Sequence, residues 1–347
     1  MRTESIRGKC MGGACALLLL LGACSGDNGP AEGPAAAGGE AQSGADATPA
    51  SCINGRAAPD AKIDRPAIAL KIENSPEARP QSGLQDADVV YEEIVEGGIT
   101  RFLALFHCGD SAKAGPVRSA RFDDPKLALP FTSVLAYSGS NSIVDKELTK
   151  RDIVSLNELN AGDAFFRVPE GSTDIHSLYA DSGEIRSQAP DKVESPDGDI
   201  FTFGDVPGDA PEVRSVSLNF TDGNTIEYKW GGGAWRRFEA GEAFVTSGGD
   251  QIEVANLVIQ QVKVDNSEKI VDPAGNPSPD ILLKGTGKAV LLRDGHAIKG
   301  TWKITKEGTA PVFRTRSGDP FPFARGSIWI ELIPSKEGDV KGSFALE

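Results

Sequence analysis

Four arginines in one stretch of this chain, Arg79, Arg101, Arg118 and Arg121, are the residues best suited to hold a ligand. A guanidinium is planar, permanently charged and forked, so arginines that converge suit a carboxylate or a phosphate. Arg118 and Arg121 lie three apart beside Gly115-Pro116, a turn-forming pair. An acidic cell-envelope group, such as a peptidoglycan stem or a phosphorylated wall polymer, would fit them, and so would an acidic surface of a partner protein. The same stretch carries its own counter-charges in Glu92, Glu96, Asp123 and Asp124. If these neutralise the arginines, the cluster is architecture rather than a site.

The carboxylates raise a second possibility. Glu92, Glu93 and Glu96 could supply a general acid and a base, as in glycoside hydrolysis. On one strand face, however, Glu92 and Glu96 would stand about 13 Å apart, beyond the spans such pairs use. Asp88 or Asp123 would then have to complete the pair. His176 is the one histidine of three set in a loop beside a possible helix start. As a general base working with Glu92 or Glu96 it would make the protein an envelope hydrolase or transferase, the alternative function. Ser119 and Ser140 lack the nucleophile-elbow pattern. The oxygen-rich run from Asp272 to Asp280 lacks calcium-loop spacing. No phosphate-binding loop or dinucleotide fingerprint is present, so neither a metal nor a cofactor is expected.

Strands must position these groups. Val89–Glu96 and Ile99–His107 flank Gly97-Gly98, which predicts a two-residue type I′ hairpin with Ile94 opposite Arg101. Glu92 and Glu96 would then share a face diagonal to that guanidinium. Ala67–Ile72 and Val134–Tyr137 read as core strands. Asp124-Pro125 reads as a helix start that Pro130 soon ends. A further helix runs from Ile143 to Lys150, and another is capped near Asp181 or Ser182. Strands mixed with helices predict a layered α/β domain over 52–189. Residues 190–211, rich in Pro, Gly and Asp, read as a linker. From 212 to 347 short alternating runs divided by turns predict an all-β domain, a sandwich or partial barrel, so the fold class is α+β. Trp230, Trp235, Trp302 and Trp329 all fall there. Exposed, they could stack on sugars; Trp302 and Trp329 sit in alternating strands and are expected in the core.

The N-terminus predicts where the protein works. Arg2, Arg7 and Lys9 precede a short apolar run, Ala14–Leu21, as in a secretory signal. Residues Leu21-Gly22-Ala23-Cys24 resemble a lipobox, so Cys24 would receive diacylglycerol with palmitate-type chains and become the first residue of the mature chain over 24–347. Residues 24–51, mostly Gly, Ala, Pro and Ser, read as a flexible tether of roughly 30 Å r.m.s. span. With Cys10 and Cys15 removed, Cys52 and Cys108 are left for a disulfide outside the cytoplasm. The formal charge of −14 becomes −16 once the leader is lost, because the leader carries Arg2, Arg7 and Lys9 against Glu4. Such acidity argues against nucleic acid as a partner.

Longer motifs then add a resemblance. Arg79-Pro-Gln-Ser-Gly-Leu84, Val95-Glu-Gly-Gly-Ile-Thr-Arg-Phe102 and Gly115-Pro-Val-Arg-Ser-Ala-Arg121 are similar to the YerB-like bacterial lipoprotein family. So are Trp235-Arg-Arg237, Ala255-Asn-Leu-Val-Ile-Gln260, Gly300-Thr-Trp302 and Trp329-Ile-Glu-Leu332. The resemblance covers about Arg65 to Pro334 and implies an anchored two-domain lipoprotein of unknown activity. One loop departs from the family: Thr173-Asp-Ile-His-Ser-Leu-Tyr179 keeps His176 and Tyr179 but lacks the usual Pro and Asn. Together these readings predict an extracytoplasmic, membrane-anchored binding or scaffolding protein, with no enzymatic activity expected.

Overall fold

The computed structural model describes residues 51–347 apart from Asn224 and Pro273, so the leader, Cys24 and the tether lie outside the described residues. The first half holds strands β1 (Ile68–Glu73), β2 (Val89–Ile94), β3 (Thr100–Phe106), β4 (Val134–Ala136), β5 (Val154–Leu156), β6 (Phe165–Arg167) and β7 (Leu178–Ala180). Its helices are α1 (Asp60–Ile63), α2 (Asp124–Ala128), α3 (Ser142–Lys150) and α4 (Ser182–Ser187). The second half is all strand: β8 (Ser215–Asn219), β9 (Thr225–Gly231), β10 (Ala234–Glu239), β11 (Glu242–Ala243), β12 (Glu253–Val254), β13 (Asn256–Val271), β14 (Pro277–Leu282), β15 (Gly285–Arg293), β16 (His296–Ile304), β17 (Val312–Thr315), β18 (Ile328–Pro334) and β19 (Ser343–Leu346). The class is α+β, with a mixed sheet in the first half and mostly antiparallel pairing in the second.

The two halves share one sheet. Its order is β17-β16-β15-β13-β18-β2-β3-β1-β4-β5, with β14 joined to the later part of β13. The joint is the parallel pair of β18 and β2, which sets Glu331 opposite Glu92. Central strands covered on both faces must be apolar almost throughout, and all six residues of β1 and all seven of β18 are buried. Because side chains alternate along a strand, Tyr91 and Glu93 of β2 face α2 while Val90 and Glu92 face the other way. On that other face lies the antiparallel sheet β11-β10-β9-β8-β19, which carries β12 on β10. Phe102 locks the two layers together, edge-on to Trp329 at 5.5 Å and to Phe244 at 6.0 Å. Burying such a ring contributes about 3 kcal/mol. Residues 190–211 are irregular and mostly exposed, anchored at Phe201, which is buried, stacks on Phe131 of the first half at 6.1 Å and meets Phe323 of the second at 4.9 Å.

The β2–β3 hairpin differs from the two-residue form. Its loop is Val95–Ile99, closed by the Val95 N–H donating to the Ile99 carbonyl at 2.9 Å, and Glu93, not Ile94, stands opposite Arg101. Gly97 and Gly98 do take positive φ, +75° and +76°, as their types require. The register moves by one because Glu96 leaves the strand for a 3₁₀ turn and points inward to Ser278 and Arg121. Glu92 and Glu96 therefore share no face.

Local chemistry sets the helices. Asn141 and Asp181 accept the first free N–H groups of α3 and α4. At α2 the N-cap is Asp123 rather than Asp124, and Pro125 is the second helical residue. Asp123 makes no capping bond, since Lys126 and the Ile281 N–H occupy its carboxylate. Cys52 and Cys108 form a disulfide that ties the first described residues to the end of β3. Trp235, Trp302 and Trp329 are buried and Trp230 is half-buried against Trp235, so no exposed tryptophan face exists for sugars.

Candidate functional site

Three of the four arginines meet at the end of β1. Glu73, the last residue of β1 and buried, lies opposite Arg101 of β3 and accepts from Arg101 and from Arg118. Arg121 reaches back to Glu96 at 2.7 Å, and Glu96 also accepts from Ser278 of β14 at 2.7 Å. The Arg101 and Arg121 guanidiniums both donate to the Ser119 carbonyl at 3.2 Å, which holds them side by side. Burial, followed by the charges of Arg121 and Arg118, pushes Arg101 down to about 10. Burial alone would raise Glu73, but Arg101 and Arg118 outweigh it and hold its carboxyl below the usual range. Glu96 behaves likewise, with Arg121 outweighing burial. Arg118 and Arg121 are about one-fifth exposed in their side chains.

Arg79 belongs to the opposite side. It donates to Asn74 and pairs with Glu239 of β10 at the rim of a cleft of about 350 Å³. That cleft lies between the Gly97-Gly98 tip and Thr221, Gly223 and Thr225. Glu239 passes the chain of charges inward to Arg237, which is fully buried and bonds Glu92 at 2.7 and 3.1 Å. Four rings, those of Phe244, Phe102, Tyr228 and Trp329, enclose the Arg237 guanidinium at 4.7 to 5.6 Å. Tyr228 donates to Glu331 at 2.6 Å. Burial, then the neighbouring Glu92 charge, holds Glu331 well above the usual carboxyl range. Thr100 and Asn74 take the remaining capacity of Glu92. No oxygen of Glu92 is open to a substrate.

The remaining candidates separate. Glu93 and Asp124 are buried against Lys71, a fully buried ammonium under α2. Burial pushes Glu93 up to about 8 and Asp123 up to about 6, although Lys71 and Lys126 oppose the rise. Asp88 accepts from the backbone N–H groups of His107, Cys108 and Gly109, which fixes the turn after β3. Ser140 bonds Asp145 at the head of α3. In the 172–177 loop the His176 N–H donates to Asp174, and Nδ1 is buried without a partner. Among the described residues no hydrogen bond joins His176 to Glu92 or Glu96, whose acceptors Arg237 and Arg121 already hold. The described residues contain no group of three metal-ligating side chains.

Of the four acids expected to neutralise the arginines, only Glu96 does so. Glu92 serves Arg237, Asp123 serves Lys126, and Asp124 serves Lys71. The partners that sequence reasoning missed are Glu73, Glu239, Glu331 and Arg237. A signal existed for the first of these: Lys71 and Glu73 interrupt an otherwise apolar strand, and a charge in such a run must find a partner there.

Residues 54–195 match the N-terminal domain and residues 216–330 the C-terminal domain of a protein family of unknown function, DUF3048. The chain is 30% identical over 281 residues to the "Putative lipoprotein YerB" of Bacillus subtilis (strain 168), covering 78% of this chain and 82% of that protein. The crystal structure of YerB protein from Bacillus subtilis has the same fold, with a TM-score of 0.70 and 27% identity, over 84% of this chain and 98% of that one.

Proposed function

This chain belongs to the YerB-like family with its two DUF3048 domains, and from that premise we propose a lipid-anchored extracytoplasmic binding protein that recognises an anionic group. Lipidation at Cys24 would attach it to the membrane, and residues 24–51 would act as the tether. The relative's name as a lipoprotein and the leader with its Leu21–Cys24 motif support that attachment. No helix among the described residues is long and apolar enough to cross a bilayer.

One observation carries the ligand reading: Arg101, Arg118 and Arg121 share only two carboxylates, Glu73 and Glu96. The neighbouring ammoniums are matched separately: Lys71 by Glu93 and Asp124, and Lys126 by Asp123 with Asp280 3.9 Å away. An anion from solvent would relieve the mutual repulsion of the guanidiniums and accept from the exposed parts of Arg118 and Arg121. The test is calorimetric titration of the full chain in detergent micelles with glycerol phosphate and with a muramyl peptide. Binding of either, weakened at least tenfold by Arg118→Ala, is the expected result. Absence of binding by both, or equal binding by the variant, would overturn it. Cys24→Ala is expected to release the protein from the membrane fraction.

A further inference from the structure

A second cleft, of about 700 Å³, is lined in part by chain neighbours of the arginine strip, Phe122 next to Arg121 and Pro279 next to Ser278. Clefts of 300–1,000 Å³ between parts of a chain are the usual size and place of ligand sites. One wall comes from the first half, with Phe122 and Ile143, and the other from the β13–β14 ribbon, with Ile270 and Pro279. Continuity with the strip runs along both walls. Phe122 follows Arg121, and Pro279 follows Ser278, which donates to the carboxylate that Arg121 holds. Ile143 follows the 138–141 loop, which is bonded to the Arg118 carbonyl and the Ala120 N–H.

The charge changes sign between the two. The strip has three guanidiniums over two carboxylates, whereas the cleft has Asp265, Asp280 and Asp339 against Lys263 and Lys269. Lys263 is spent on Asp265 at 2.6 Å. Asp339 is exposed, and Asp280 stands half-exposed, 3.9 Å from Lys126. A ligand that matches this surface has an anionic end, an apolar middle and a cationic end.

We infer that the strip and the cleft form one elongated site for a short peptide, its carboxylate on Arg118 and Arg121 and its ammonium among Asp280 and Asp339. This rests on the anion reading above and names the ligand class. Glycerol phosphate lacks the cationic end, and so uses only half of the site.

The probes are tetra-alanine, about 14 Å when extended, its N-acetyl derivative and its C-terminal amide, titrated into the full chain in detergent micelles. Tetra-alanine is expected to bind about tenfold tighter than the acetylated form, one charged contact being of that order. The amide should bind more weakly than both. Asp339→Asn, a change at an exposed side chain, should close the gap between the free and acetylated peptides without altering binding of the acetylated one. Equal binding of free and acetylated peptide overturns the peptide site and leaves the anion reading standing. Equal binding of acid and amide overturns the inference, since the carboxylate then does not sit on Arg118 and Arg121; loss of glycerol phosphate binding as well would overturn the anion reading. Binding of no peptide, with glycerol phosphate still bound, restricts the site to anions and overturns the inference.

Discussion

Carboxylates of the large sheet meet arginines on both of its faces, and the two faces treat the pairs differently. Around Arg237 the second sheet and four aromatic rings exclude water, and Glu92, Glu239 and Glu331 each have a partner from the protein, with Arg237 Nε and Glu331 Oε2 the buried atoms left without one. Around Glu73 the arginines outnumber the carboxylates, and two of their side chains reach solvent. Taking ions from water costs several kcal/mol each, so a sealed cluster must satisfy itself. An open one can leave a charge for a ligand. The difference teaches that the same pairing of residue types is architecture on one side of a sheet and a candidate site on the other, decided by what covers it.

The largest effect should come from breaking the sealed face. Arg237→Ala leaves the buried Glu92 without its cation, while Glu239 keeps Arg79, and is expected to cost about 3–5 kcal/mol in urea unfolding; a loss under about 1 kcal/mol would mean that the cluster does not hold the halves together. Next is Glu73→Gln, which takes the shared acceptor from Arg101 and Arg118 and should cost about 2 kcal/mol. Phosphate should recover more stability in this variant than in the parent protein, because it would bind the folded form alone. Equal recovery would show that the strip does not gather anions.

A smaller effect concerns pH. Glu93 and Asp123 have folded pKa values raised by burial, to about 8 and about 6. The folded protein therefore holds their protons more tightly than the unfolded chain does, and the stability this confers is lost as pH rises through those values. Glu73 and Glu96 are shifted down and act in the opposite sense, their contribution disappearing only as pH falls below the usual carboxyl range. Unfolding free energy should thus peak near pH 5 and decline towards pH 8, by at most about 1.4 kcal/mol per pH unit for each raised group. Glu93→Gln should remove the part of the decline between about pH 6 and 8, and an unchanged slope would count against a buried, protonated Glu93. The smallest stability change is expected for Arg118→Ala, under about 1 kcal/mol because the side chain is partly solvated, together with the largest loss of anion binding.

Much of the local structure was legible. The alternation and the turn at Gly97-Gly98 gave the hairpin, the helical pattern from Ile143 and the cap near Asp181 or Ser182 gave two helices, and Cys52 and Cys108 gave the disulfide. The hairpin register was not legible, because it depends on Glu96 finding Ser278, a residue 182 positions away. Nor was the grouping of the arginines. Arg79 and Arg101 read as neighbours in one motif, yet Asn74 and Glu239 draw Arg79 to the far face.

By itself the sequence determined the signals that act over a few residues: strand and helix periods, the cap near Asp181, the glycine turn and the cysteines that pair. Family membership also followed from its motifs. Tertiary structure alone decided that β18 enters the sheet beside β2, and with that pairing which carboxylate each guanidinium meets. The physical reason is range. Backbone preference is set by neighbours in the chain, whereas a buried charge is matched by whatever group the long-range strand pairing brings within hydrogen-bond reach.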